Sequence, residues 1–524
     1  MSEVSLPGSL GISGGAPEGD LGVAQQMPFD EPTGGTRPAR PIGRDALVYG
    51  IGMILMRAAS FVMLPIYTRL LTTAQYGLLQ MLDMTVDVIS LLVSAGCVLG
   101  VMRFYFKATT QEDRRAIIST AFVLQVGLNL VGSLLLAAIA RPVWQHALNG
   151  AGASWYVIVA AANFTLGALS VVPLLYMQIQ GRVVLYTITS LTKLFIQLSL
   201  NVLFLVVLRM GPAGILLSTL VANVVLGSAT TVWLFRANGF RFTRASATDL
   251  RRFGIPYQIT TAGNFVLVFG DRFFLQPTHG LAAVGIYSFA YQFGFLMYTL
   301  GIGPYSQAWT PHRYEIISLP RGERDRSYNA GFFYLSLIGI SVALGIAVFV
   351  HPALRIMSRV EFLPAADLVP IILAAYIVQG WGETVQFGIN VSEQTRFSTY
   401  AAWISVTAVL VLYTLLIPWL GGLGAAIATL LGFSIRTLLL YLLAQRVWPV
   451  DYRWRPHLRL GSIALGLAAA SYFVRSASLI REIALSTALA LTYALIVWSI
   501  ILTPEHRSVI LGWLTGRFQR LART

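Results

Sequence analysis

Cysteine is nearly absent. Cys97 is the one copy in 524 residues, so no disulfide can form within the chain and no thiolate cluster can hold a metal. Charge is scarce as well: Asp, Glu, Lys and Arg make up 11% of the residues against 56% hydrophobic ones, which excludes an ordinary water-soluble globule. The six histidines are scattered, and no His/Glu or Cys/His cluster has metal-ligand spacing, so no metal site is expected. No Gly-rich sequence ends in Lys-Ser or Lys-Thr, and no polar segment between apolar runs exceeds roughly 25 residues, which leaves no room for an ATP-binding or soluble catalytic domain. No cofactor is called for, and the chain does not read as an enzyme.

What is present is apolar sequence in long runs. Uncharged stretches of roughly 18 to 25 residues can each cross a hydrocarbon core as a helix. Fourteen such spans are predicted, beginning near Ala46, Leu78, Ile117, Trp155, Val183 and Ala213, then near Pro256, Ala283, Gly331, Ala366, Ser398 and Leu423, and last near Leu460 and Ile483. The fold class is therefore an all-α polytopic membrane protein.

Two internal echoes organise these spans. Leu208-Arg209-Met210-Gly211-Pro212-Ala213-Gly214 through Leu220 faces Pro418-Trp419-Leu420-Gly421-Gly422-Leu423-Gly424 through Leu430, about 210 residues on, with Gly211, Gly214, Thr219 and Leu220 falling on Gly421, Gly424, Thr429 and Leu430. Ala74-Gln75-Tyr76-Gly77 faces Ala282-Ala283-Val284-Gly285 at almost the same offset. A duplicated bundle follows, with two lobes of six helices and a C-terminal pair. An even number of spans per lobe inserts both in the same direction, so the pseudo-twofold axis runs along the membrane normal. The expected organisation is a disordered cytoplasmic tail over 1–43, an N-lobe over 44–240, a C-lobe over 241–450, an appended helix pair over 451–503 and a basic cytoplasmic tail over 504–524. Residues 1–43 are rich in Gly, Pro, Ser and acidic side chains and hold no apolar core of signal-peptide length.

The formal net charge is +15, yet it needs no nucleic acid. The cations gather in alternate polar segments: Arg103, Lys107, Arg114 and Arg115; Arg236, Arg241, Arg244, Arg251 and Arg252; Arg313, Arg321, Arg324 and Arg326; Arg446, Arg453, Arg455 and Arg459. The positive-inside rule puts these segments and both termini in the cytoplasm, where they meet anionic headgroups.

Polar residues inside the spans carry the functional argument. Asp83, Asp87, Ser90 and Ser94 recur at helical spacing on the second span, Ser190, Lys193, Gln197 and Asn201 on the fifth, and Gln379, Glu383, Gln386 and Asn390 on the tenth. Such stripes should avoid lipid, because charge at membrane depth marks a hydrated cavity or an ion pair. Arg57 and Asp87 are depth-matched on neighbouring spans. Either they pair to hold two helices together, or the planar guanidinium of Arg57 faces an anionic substrate. The polar neighbours of Lys193 favour a cavity position for it. Arg272 beside Asp271 fits a local salt bridge as well as substrate contact, and Arg436 lies well inside the twelfth span. Glu383 is open between a proton or cation coupling site and a neutral helix contact. Ser60, Ser90, Asn264, Gln379 and Gln386 complete the expected polar cavity lining.

The segment from Pro65-Ile66-Tyr67-Thr68-Arg69-Leu70 through Leu71-Thr72-Thr73-Ala74-Gln75-Tyr76-Gly77 resembles the first-loop signature of the Wzx-type polysaccharide flippases. Asp271-Arg272-Phe273-Phe274-Leu275, with Val284-Gly285-Ile286-Tyr287-Ser288-Phe289-Ala290-Tyr291, resembles the seventh-to-eighth helix segment of that family, and Gly421 to Thr429 its motif before the twelfth helix. The likeness covers about residues 44–450. It implies the fold shared with MurJ lipid II flippases and MATE exporters, alternating access, and polyprenyl-diphosphate-linked oligosaccharide as substrate. It places Arg57 and Arg272 beside the diphosphate, with Lys193 and Arg436 as further substrate cations and Asp83, Asp87, Glu383 and Asp271 as coupling or charge-pair residues. The expected setting is the cell inner membrane, in lipopolysaccharide, O-antigen or exopolysaccharide assembly, beside a polymerase or other assembly proteins. Membrane potential, H+ or Na+ would supply direction. The alternatives are a MATE-like exporter of amphipathic cations, a membrane-embedded glycan polymerase or ligase, and a scaffold.

Overall fold

The computed structural model describes residues 62–504 apart from 95, 97 and 148–152, together with 507, 508 and 511. The expectations for the 1–43 tail, for most of the first span with Arg57 and Ser60, for Cys97, and for most of the C-terminal tail lie outside the described residues. Among the described residues there are fourteen α-helices and no strand, and eleven helical runs are long and apolar enough to cross a membrane.

The N-lobe holds α1 (Thr73–Val93), the short α2 (Leu99–Lys107), α3 (Gln111–Ala147), α4 (Ala153–Ile179), α5 (Val183–Asn201) and α6 (Pro212–Asn238). The C-lobe holds α7 (Arg244–Phe269), α8 (Asp271–Met297), α9 (Gly303–Glu315), α10 (Arg321–Met357), α11 (Ala365–Val391) and α12 (Arg396–Val447). The last pair is α13 (Trp454–Val474) and α14 (Leu479–Ile496).

Local chemistry explains several boundaries. Thr72 and Gln75 form a capping box at the start of α1: the Thr72 hydroxyl accepts from the Gln75 amide at 3.2 Å and the Gln75 side chain accepts from the Thr72 amide at 3.1 Å, which satisfies two otherwise orphaned donors. Pro212 opens α6 directly after Gly211, where its missing N–H costs nothing. Gly211 (φ 60°, ψ −141°) and its repeat mate Gly421 (φ 55°, ψ −130°) share a backbone conformation that L side chains rarely adopt. The duplication read from the sequence therefore returns as the same turn in both lobes. Gly421 turns the chain inside α12 and Gly280 (φ 79°) turns it inside α8, so the span starts expected near Leu423 and Ala283 fall a few residues late.

Exposed Phe195, Trp419 and Phe473 sit on the outer surface, as expected where the solvent is hydrocarbon. The core centres on α8, whose Tyr287, Phe289 and Tyr291 are fully buried. Helices of the N-lobe are tied by side chain to backbone bonds, such as Asn129 to the Phe164 carbonyl at 3.0 Å and Ser133 to the Ala161 carbonyl at 2.7 Å, which hold polar groups that lipid could not satisfy.

The C-terminal pair is clamped to the C-lobe by charge. Glu482 of α14, 2% exposed, receives Arg355 at 2.8 Å and contacts His351, both from α10. Arg355 also donates to the carbonyls of Ser476 and Ala477, and Arg475 pairs with Asp367 at 2.7 Å. At the other end of the pair, His457 stacks on Phe332 and meets the Ser336 hydroxyl at 2.8 Å.

Candidate functional site

The lobes meet along α1 and α8. Near the start of α1, Gly77 packs so tightly on α8 that a Cβ would lie 1.9 Å from the Leu281 carbonyl oxygen. Around this crossing, Arg69 donates to the Ile356 carbonyl, the Arg359 amide donates to the Thr68 carbonyl at 3.3 Å, and Phe362 fits edge-on between Tyr76 and Phe289. Just past the far end of α1, Gly96 meets Gly254 of α7, where a Cβ would lie 2.5 Å from the Gly254 carbonyl oxygen. The N-lobe thus touches the C-lobe at both ends of α1, with Asp83 between them.

A cavity of about 440 Å³, the N-lobe cavity, opens beside Asp83, walled mainly by N-lobe helices and completed by Gln292 of α8. Its lining includes Tyr67, Tyr76, Gln80, Asn163, Gln197, Thr219, Asn223 and Gln292. A second cavity, of about 280 Å³, lies in the C-lobe between α7, α11 and α12. It brings together five expected site residues, Asn264, Gln379, Glu383, Gln386 and Arg436. The four-residue and three-residue steps on α11 put Gln379, Glu383 and Gln386 on one face, as the sequence spacing requires. Tyr298 donates to the Glu383 carboxylate at 3.2 Å from a π-helical segment, Tyr298–Ile302, an irregularity frequent at functional sites. Arg436 and Glu383 line the same cavity. Arg313, named from sequence as one of a cytoplasmic cluster, packs its guanidinium against the rings of Trp309 and Phe387. A third hollow, of about 210 Å³, is an apolar groove among α10, α11 and α13.

Other expected site residues fall elsewhere. Asp271 and Arg272 form a closed charged knot, 0% and 1% exposed. The guanidinium donates to Asp271 at 2.7 Å, to the Ser288 hydroxyl at 3.2 Å and to the Val268 carbonyl at 3.0 Å, and it lies over the rings of Tyr287 and Tyr291. Tyr287 and Thr429 donate to the other Asp271 oxygen. Of the two sequence readings of Arg272, the local salt bridge with Asp271 is present in this structure, with the arginine 1% exposed. Lys193 is half-buried, one turn from Gln197, outside the lining of either polar cavity. Asp87 is exposed one turn beyond Asp83, while Ser90 turns to Ser94. Among the described residues no cluster of His, Cys, Asp and Glu could hold a metal ion.

In the N-lobe cavity, Asp83 and Gln197 belong to polar stripes named from the sequence, and the other polar lining residues were missed. Asn163, Thr219, Asn223 and Gln292 stand singly in apolar runs, and isolated polar residues at membrane depth were the signal available.

The fold is similar to solved transporters. A lipid II flippase MurJ in an inward closed conformation superposes with a TM-score of 0.68 at 14% identity, covering 86% of this chain and 99% of that one. An inward-facing multidrug resistance MATE family transporter of the MOP superfamily gives 0.56 at 14% identity, covering 80% and 98%. A MOP superfamily transporter from Pyrococcus furiosus gives 0.50 at 14% identity, covering 77% and 94%. No curated protein sequence matches the chain. A family model described as polysaccharide biosynthesis protein matches residues 42–316, more than half of the chain. With its two-lobed helical fold and its polar cavities within an apolar bundle, the chain belongs to the polysaccharide biosynthesis protein family.

Proposed function

We propose that this protein is a flippase that moves polyprenyl-diphosphate-linked oligosaccharide from the cytoplasmic to the outer leaflet of the inner membrane, with both termini cytoplasmic. The observation that carries this reading is the pair of polar cavities, each containing ionisable groups, inside a bundle whose outer surface is apolar. A glycan headgroup cannot enter hydrocarbon unaided, and a cavity of this kind replaces its water. Family membership and the likeness to a lipid II flippase support the same reading.

In this mechanism the cavity opens to the cytoplasm, which the segments carrying the Arg clusters face. Arg436 and Arg57 neutralise the diphosphate, Lys193 guides it from the cavity edge, and Arg272 stiffens the wall through Asp271. The prenyl chain stays in lipid along the apolar groove of α10, α11 and α13. Rocking of the lobes parts the Gly77 crossing and exposes the headgroup outside. Asp83, Asp87 and Glu383 are the candidates for coupling to a membrane potential or to H+ or Na+. An O-antigen or exopolysaccharide polymerase would receive the product.

The test is reconstitution in vesicles with a labelled polyprenyl-diphosphate oligosaccharide, following the rate at which the sugar becomes accessible to an external glycosidase. Exposure dependent on the protein and lowered by Arg436→Gln supports the reading. A second reading, export of amphipathic cations, is favoured by the carboxylate of Asp83 in the N-lobe cavity. It wins if vesicles expel a lipophilic cation under an ion gradient while no glycan is exposed.

A further inference from the structure

We propose that the N-lobe cavity is a recognition site for an uncharged sugar unit, reading hydroxyl and acetamido groups. This inference rests on the flippase reading. Its first support is the kind of polar group on the wall: Gln80, Asn163, Gln197, Asn223 and Gln292 are side-chain amides, and Asp83 is the acidic member. An amide offers donors and an acceptor together, which matches a sugar hydroxyl, itself both donor and acceptor, and an acetamido group, itself an amide. None of the described lining residues is Lys or Arg. Among the described lining residues Asp83 is the one carboxylate; a carboxylate accepts well from hydroxyl groups and disfavours a second carboxylate beside it.

Geometry adds a second support. Asn163 donates to the Leu216 carbonyl at 2.9 Å, Asn223 donates to the Asn163 side chain at 3.3 Å, and Gln197 donates to the Thr219 hydroxyl at 3.0 Å. Three of the five amides, Asn163, Gln197 and Asn223, are thus held in place by neighbours on α4, α5 and α6, a preorganised set of the kind that specificity requires. The rings of Tyr67, Tyr76 and Phe164 provide apolar wall for the C–H faces of a pyranose. A volume of about 440 Å³ is of the order of known small-molecule sites. The C-lobe cavity differs in kind, because Arg436 offers a cation there.

The experiment uses the full chain in vesicles and three lipids: polyprenyl diphosphate carrying a neutral N-acetylhexosamine oligosaccharide, the same lipid with one hexose replaced by a uronic acid, and a polyprenyl diphosphate carrying a single hexose. The unsubstituted protein should flip the neutral glycan about tenfold faster than the uronate. Gln80→Ala or Gln197→Ala should raise the half-saturating concentration of the neutral oligosaccharide about tenfold and change the single-hexose lipid little. Asp83→Asn should narrow the gap between neutral and acidic glycans.

In parallel, a free N-acetylhexosamine tetrasaccharide should protect Val86→Cys, at an apolar position of the same lining, from maleimide in a Cys97→Ser background, a readout that needs no transport. Equal slowing of all three lipids by every variant would overturn the proposal in favour of a structural or coupling role, as would preference for the uronate. Absence of flipping with every lipid, together with intact protection by the tetrasaccharide, would count against the flippase reading and leave the sugar site standing. Loss of both would overturn both.

Discussion

Gly77 and Gly285, equivalent residues of the two repeats, lie against each other across the lobe interface. A Cβ on Gly77 would strike the carbonyl oxygen of Leu281, and one on Gly285 would strike that of Thr73 at 2.0 Å. Thr73 and Leu281 are equivalent too, so the contact is reciprocal, as it is about a twofold axis. The atoms in the way are backbone, and no rotamer change can make room.

Gly77→Ala should therefore force α1 and α8 apart, with an overpacking cost of about 1–3 kcal/mol. In a Cys97→Ser background, maleimide should label Gln292→Cys faster from the side on which α1 begins, and glycan flipping should fall. Unchanged labelling would mean that this crossing is not the closed gate.

The knot of Asp271 and Arg272 gives a prediction about stability. Asp271→Ala leaves an enclosed guanidinium without its counter-ion, at a cost of about 3–5 kcal/mol, which thermal unfolding in detergent should register as a large drop in Tm. Asp271→Ala combined with Arg272→Met should recover much of the loss, because the unpaired charge has gone. A stable double variant that still flips glycan would confirm that Arg272 acts in the wall.

Glu383 and Arg436 share one cavity, and a double-mutant cycle can measure their coupling. Glu383→Gln and Arg436→Gln should each lower the flipping rate by about tenfold or more, and the pair together should lose less than the product of the two. Strictly multiplicative losses would show that the two side chains act independently.

Glu482 is the keystone of the contact between α14 and α10. Glu482→Ala should free Arg355 and His351, lower the Tm by several degrees as expected for losing a buried charge partner, and speed tryptic cleavage after Arg475. Unchanged cleavage would show that apolar packing alone seats the helix pair.

Much of the bundle was legible because lipid imposes simple rules. Apolar runs marked the spans, and the repeat of Gly211 in Gly421 pointed to a duplicated bundle, and the two glycines adopt the same backbone turn. The C-lobe cavity was legible in part, since Gln379, Glu383 and Gln386 lie on one helix at helical spacing. The N-lobe cavity as a meeting of helices was not, because Asn163, Gln197, Asn223 and Gln292 come from four helices and periodicity within one helix says nothing of convergence between helices. Asp271 and Arg272 are adjacent in sequence, which suggested a pair but could not reveal the tyrosines around it. The signature around Thr72 and Gly77 reads in the structure as a helix cap and a close crossing, so its recurring residues serve architecture before chemistry.

The reciprocal crossing also bears on ancestry. In a parental six-helix chain, Gly77 and Gly285 would be one residue meeting its own copy, and the present interface would have been the seam of a parallel homodimer. Fusion made the two glycines separately mutable, while each remained the other's steric limit. Neither half can acquire a side chain at this position unless the two helices separate, because what each would strike is backbone of the other half.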